Sequence, residues 1–85
     1  MLQVTEDALE ICSATVRQLS VQANTKCLRL IEHEDDVAMS FELPRSGDEV
    51  VRDQGNVVLA IPEKAAEDLS ELTLDVRNDG RFILS

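Results

Sequence analysis

The spacing of apolar residues along this chain changes at Cys27 from a helical period to a strand period, and that change limits the fold more than any other feature. Leu9, Cys12, Val16 and Leu19 follow one another at intervals of three, four and three residues. That is the stripe of an amphipathic helix, with Glu10, Ser13 and Arg17 pointing elsewhere. Thr5 supplies an N-cap, and Glu6 and Asp7 set carboxylates at the positive end of the helix dipole, so the helix begins there and runs to about Ser20. From Val21 to Lys26 no apolar period survives, and the chain reads as a connection.

After Cys27 the period is two. Leu28 and Leu30 alternate with Cys27, Arg29 and Ile31. Beyond an acidic turn, Val37, Met39, Phe41 and Leu43 alternate with Ala38, Ser40 and Glu42, which predicts a first hairpin. Pro44, Ser46 and Gly47 break the pattern. Glu49 to Arg52 and Val57 to Ile61 then flank the turn-forming run Asp53, Gln54, Gly55, Asn56, a second hairpin. Pro62 suits the first turn of a short helix through Leu69, where its missing N–H costs nothing. Leu72, Leu74 and Val76 lead through Asn78, Asp79 and Gly80 into Phe82 and Leu84, a third hairpin. The expected architecture is a single α+β domain over residues 1–85. Its strands are mainly antiparallel and hairpin-connected, in a β-sandwich or half-barrel, with an N-terminal helix and one short second helix. The period places Leu9, Cys12, Val16, Leu28, Leu30, Val37, Met39, Phe41, Val57, Leu59, Ile61, Leu72, Leu74, Val76 and Phe82 in its core.

Composition narrows the function classes. The chain has 85 residues and a formal charge of -9, so its average surface repels phosphate backbones and anionic head groups, which argues against nucleic acid or a membrane as partner. Phe41 and Phe82 are its only aromatic residues, leaving no row of rings for stacking bases and requiring an aliphatic core. No basic leader and no apolar run long enough to span a bilayer is present, so the expected location is the cytoplasm. Cys12 and Cys27 form neither a CxxC pair nor a disulfide framework, and read as small core residues.

The densest group of possible hard-metal ligands is Glu32, His33, Glu34, Asp35 and Asp36. At a hairpin tip adjacent side chains splay to opposite faces, and a calcium-loop pattern with its central glycine is missing, so these residues read as a solvated acidic turn. Cys12 and Cys27, with His33, form a second conceivable ligand set, but Cys12 lies on the apolar stripe. His33 has no serine or cysteine nucleophile near it in sequence. Neither G-x-S-x-G nor H-E-x-x-H occurs, and the three glycines fall at turns. The Glu67 and Glu71 pair has helical spacing but a solvent-facing position. No catalytic residue is assigned, and the chain is expected not to be an enzyme.

Several of these positions together resemble the HesB-like domain of the A-type iron-sulfur cluster carriers. Leu2, Val4, Thr5 and Ala8 match its opening L-x-[VIL]-T-x-x-A; Leu28 and Arg29 match its Leu-Arg strand. Val57 to Ile61 with Pro62 resembles its V-x-V-x-P segment, and Leu72 to Val76 with Gly80 to Phe82 resembles the hairpin before its last motif. These are cap, turn and apolar positions, so they imply the fold more than the function. The family's ligands are a cysteine in a Gly-Gly-Cys-Ser-Gly loop after the Leu-Arg strand and two more in a Cys-Gly-Cys tail. Here His33, Glu34, Asp35, Asp36 and Val37 stand in place of the first, and the sequence reaches Ser85 without the second. The resemblance thus implies a degenerate, iron-sulfur cluster assembly-like protein that has lost cluster ligation. It would need no cofactor and serve as an interaction or accessory module. Its expected partner is a protein, basic or a component of iron-sulfur assembly, met through Glu34, Asp35 and Asp36; self-association is a further expectation. The alternative is an iron or iron-sulfur carrier using ligands outside the family pattern.

Overall fold

A computed structural model describes residues 2–19, 26–32 and 37–85. The elements run β1 (Gln3–Val4), α1 (Glu6–Leu19), β2 (Cys27–Glu32), β3 (Val37–Glu42), β4 (Glu49–Asp53), β5 (Asn56–Ile61), α2 (Glu63–Asp68), β6 (Thr73–Val76) and β7 (Phe82–Leu84). Among the described residues no helix is long and apolar enough to cross a membrane.

Thr5 caps α1 as the sequence predicts: its Oγ1 accepts from the Ala8 N–H at 3.2 Å and its carbonyl from the Leu9 N–H at 2.9 Å. The same hydroxyl donates to Asp75 Oδ1 at 2.8 Å, which ties the start of the helix to β6. Ala8, Cys12 and Val16 form the buried stripe. Two expectations fail on this helix. Ser13, expected to point away from the apolar stripe, is buried, whereas Leu19 is 51% exposed. Leu19 has the azimuth of the buried stripe, so its exposure reflects a last turn that extends past what covers the others.

The strands form two sheets, β3-β2-β5-β4 and β1-β6-β7. All three predicted hairpins are present. β2 and β3 pair from Cys27↔Glu42 to Glu32↔Val37, β4 pairs with β5, and β6 pairs with β7. The second hairpin is tighter than the sequence implied, since Asp53 and Asn56 still pair and only Gln54 and Gly55 turn, with φ of 53° and 84°. Two left-handed residues in succession give the twist that a two-residue hairpin requires. Two parallel pairs complete the sheets: β2 with β5 through Leu28↔Leu59 and Arg29↔Ala60 joins the first two hairpins, and β1 with β6 through Gln3↔Thr73 adds a strand to the third.

The sheets meet along β3 and β7 without closing into a barrel, while α1 packs on β2, β5 and β6 and so spans both. Because β5 is central, Val58, Leu59, Ala60 and Ile61 are all buried, which alternation alone does not predict. Of the expected core, Cys12, Val16, Leu28, Leu30, Leu59, Ile61 and Leu74 are buried. Leu9, Val37, Met39, Phe41, Leu72 and Phe82 are half-buried against them, and Val57 and Val76 are half-buried. Leu2, Ala65, Ala66 and Leu69 complete the core from β1's approach and from α2, whose small residues let it sit close.

Candidate functional site

A charge in the middle of an apolar strand needs a partner, and Arg29 has one. Its guanidinium grips Asp48 in a fork, Nε to Oδ2 at 2.8 Å and Nη2 to Oδ1 at 3.1 Å, with the side chains only 14% and 3% exposed. Asp48 Oδ2 also accepts from the Arg45 N–H at 2.9 Å, which folds the 45–48 turn back over the sheet. Gly47 makes this turn with φ of 90°, and a Cβ there would lie 3.1 Å from Glu63 Oε2. The hydrogen bond with Arg29 holds the Asp48 carboxyl below its usual range and raises Arg29 in return.

The register sets Ser40 opposite Arg29 and Glu42 opposite Cys27, so all four share one face. Ser40 donates to Glu42 Oε2, and Arg45 Nη2 donates to Glu42 Oε1 at 3.2 Å. The Ser40 hydrogen bond chiefly lowers the Glu42 carboxyl. The Arg45–Glu42 pair is open to solvent, with Arg45 at 69% exposure, unlike the Arg29–Asp48 pair one layer beneath. The charges of this network are satisfied within it, and through Asp48 and Arg45 they anchor the 43–48 segment on the sheet.

Both cysteines are free and fully buried. Burial pushes the Cys12 thiol up to about 11. Cys27 is raised too, first by burial and then by the Asp48 and Glu42 charges, against the opposing pull of Arg29. Each is therefore a protonated thiol near neutral pH, a poor donor for iron. They do not assemble into a ligand set: among the described residues no three His, Cys, Asp or Glu side chains are placed to hold a metal ion.

Of the acidic run 32–36, Glu32 is exposed at the end of β2, opposite Val37. His33, Glu34, Asp35 and Asp36 lie outside the described residues. Glu67 and Glu71 are both exposed, and Glu71 falls beyond the end of α2, so the helical relation read from their spacing does not exist. Glu49 Oε2 is buried without a partner among the described residues, near Gly47, Glu63 and Glu67. Asp48 and Glu49 went unremarked in the sequence because each carboxylate takes its meaning from distant neighbours. The lone arginine at position 29 was the available signal.

No protein-family model matches the chain. No curated protein matches it either. Among solved structures it is similar to IscA, described with its 2Fe-2S cluster, at 23% identity and a TM-score of 0.53, over 100% of this chain and 84% of that one. At that identity the likeness shows a common fold, in agreement with the α+β, HesB-like architecture expected from the cap, turn and strand positions.

Proposed function

We propose that this chain is a non-catalytic module on the A-type carrier scaffold, without cluster ligation, that acts through contacts with another protein of iron-sulfur assembly. The observation that carries the reading is the state of its thiols. A cluster needs thiolates that reach a common point at the surface, because soft sulfur matches iron and its sulfide bridges. Cys12 and Cys27 are closed in the interior and kept protonated. The hairpin connection at which the resembling family carries its first cysteine holds His33, Glu34, Asp35 and Asp36 here. The donor set does not fit a cluster of ordinary ligation.

The test is anaerobic reconstitution with iron and sulfide, followed by absorption spectra of the wild type, Cys12→Ala and Cys27→Ala. The reading expects no stable cluster bands in any of the three. A stoichiometric cluster lost in either variant overturns it, and a cluster lost only on replacing residues 32–36 establishes the carrier reading instead.

Surface contact follows from charge. Seventeen acidic residues against eight basic ones steer a basic partner at long range, and Glu34, Asp35 and Asp36 are the densest run of them. Association with such a partner slows as salt rises, since exposed charges are screened beyond about 10 Å at 0.1 M. It slows likewise when those three residues become serine. An unchanged association rate at low salt rules that turn out.

A further inference from the structure

The second hairpin and the last two turns of α1 border a half-open cavity of about 460 Å³, of the size that takes a small organic molecule. Ser13, Val16 and Arg17 line it from the helix; Arg52, Asp53 and Val58 line it from the hairpin. Those groups belong neither to the Arg29–Asp48 network nor to the acidic turn.

Three observations bear on what it holds. Arg17 and Arg52 make no ion pair among the described residues, although carboxylates outnumber cations about two to one in the chain. The one contact of the Arg52 guanidinium is a long hydrogen bond to the Gly55 carbonyl at 3.4 Å. Ser13 is only 6% exposed, yet its hydroxyl makes no hydrogen bond among the described residues. Its neighbour Thr15 on the same helix instead donates back to the Ile11 carbonyl at 2.8 Å. The Ser13 hydroxyl and the two solvent-facing guanidiniums thus bring donors free of any carboxylate to the wall of one cavity, where an acceptor from outside can meet them together.

We propose that this cavity binds a small organic oxyanion, its carboxylate or phosphate head group held between Arg17, Arg52 and Ser13 and its apolar body resting on Val16 and Val58. Guanidinium forks match both head groups bidentately, and a hydroxyl donor completes the set. Asp53 offsets one of the two positive charges, so the cavity carries a net charge of about +1 at neutral pH, suited to a singly or doubly charged ligand rather than to a polyanion. A cation is repelled by the two arginines. The valines give the ligand a side that plain inorganic phosphate cannot use. The proposal is independent of cluster chemistry and stands whether or not the chain carries iron.

The test is titration of the full chain with phenyl phosphate, benzoate, inorganic phosphate and phenol, read by amide chemical shifts. Saturable shifts at Ser13, Arg17 and residues 52–58, with a Kd of about 1 mM or below for phenyl phosphate or benzoate, support the site, and the tighter of the two names the head group. Phenol must fail for want of charge, and inorganic phosphate must bind more weakly for want of an apolar body. Arg17→Gln and Arg52→Gln should each weaken binding about tenfold, whereas Arg81→Gln, outside the cavity lining, should leave it unchanged. Both arginines are exposed, so these variants fold. Ser13→Ala supplies a second readout: it should weaken binding while leaving thermal stability unchanged or raised, because it removes a hydroxyl that has no partner. The site is overturned if neither organic anion saturates, if Arg81→Gln weakens binding as much as Arg52→Gln, or if phenol binds as well as phenyl phosphate.

Discussion

Cys12 and Ser13 are neighbours on one helix, yet they open onto two different regions of the molecule. On the Cys12 side the thiol is fully buried in the core with Leu28 and Leu30, and on the other face of β2 the Arg29 guanidinium and the Asp48 carboxylate satisfy each other almost out of reach of water. On the Ser13 side a hydroxyl and two guanidiniums line an open cavity, with no ion pair to either arginine among the described residues. The closed region holds its polar groups only because they are paired or neutral, as burial demands. The open one retains unsatisfied groups that water or a ligand can meet.

That contrast can be broken at several points. The largest effect is expected in the closed region from Leu59→Ala, which empties a fully buried site in the central strand and should cost about 3 kcal/mol in denaturant unfolding. Val57→Ala, two residues back at the cavity wall and half-buried, should cost less than half of that. Asp48→Ala comes next. It strands Arg29 without a counter-charge and should lower stability by about 2 kcal/mol, below the range for fully buried pairs because Arg29 keeps some solvent. The wild type should also lose stability in acid. Asp48 has a lowered folded-state pKa, so its contribution is fully present above its unfolded value of 3.8 and disappears as pH falls through the lower folded value. Asp48→Ala should remove that part of the acid dependence.

At the alkaline end the sign reverses. Cys12 has a folded-state pKa raised from 9.0 to about 11, so its contribution is present below pH 9 and is lost as pH climbs from 9 toward 11. Such a shift amounts to a loss on the order of 2 kcal/mol across that window. Cys12→Ala should flatten the alkaline limb of a stability profile even though it lowers stability at neutral pH. The smallest effect is expected on the open side: Arg52→Gln should change unfolding stability by no more than about 0.5 kcal/mol, since it removes no buried contact. A large loss there would mean that the arginine is structural and the two regions are not distinct.

How far these regions were legible in the sequence depends on the range of the signal. The three hairpins are local events, each written in an alternation and a turn, and Thr5 announces the start of α1 through its own side chain. The parallel joins of β2 to β5 and of β1 to β6 are choices among distant strands, which no period encodes. The one hint was the unbroken apolar run Val57 to Ile61, which suits a strand covered on both faces. Ser13 is expected to point away from the apolar stripe because a helical wheel cannot know that a hairpin from the middle of the chain closes over that flank. Arg17 and Arg52 lie on separate elements, and neither shows in sequence that it lacks a carboxylate. The likeness to the carrier fold was carried by Leu2, Val4, Thr5, Leu28 and Pro62, all framework positions. They foretold the architecture and said little of chemistry.

The proposal that this scaffold carries no cluster rests on both of its thiols lying inside the fold. The most direct measurement is alkylation of the native protein with iodoacetamide at mildly alkaline pH, with the incorporated mass followed over time. The account predicts no label on Cys12 or Cys27 while the chain is folded, and labelling of both once denaturant unfolds it. Labelling of either cysteine in the folded protein at the rate of a free thiol would contradict it.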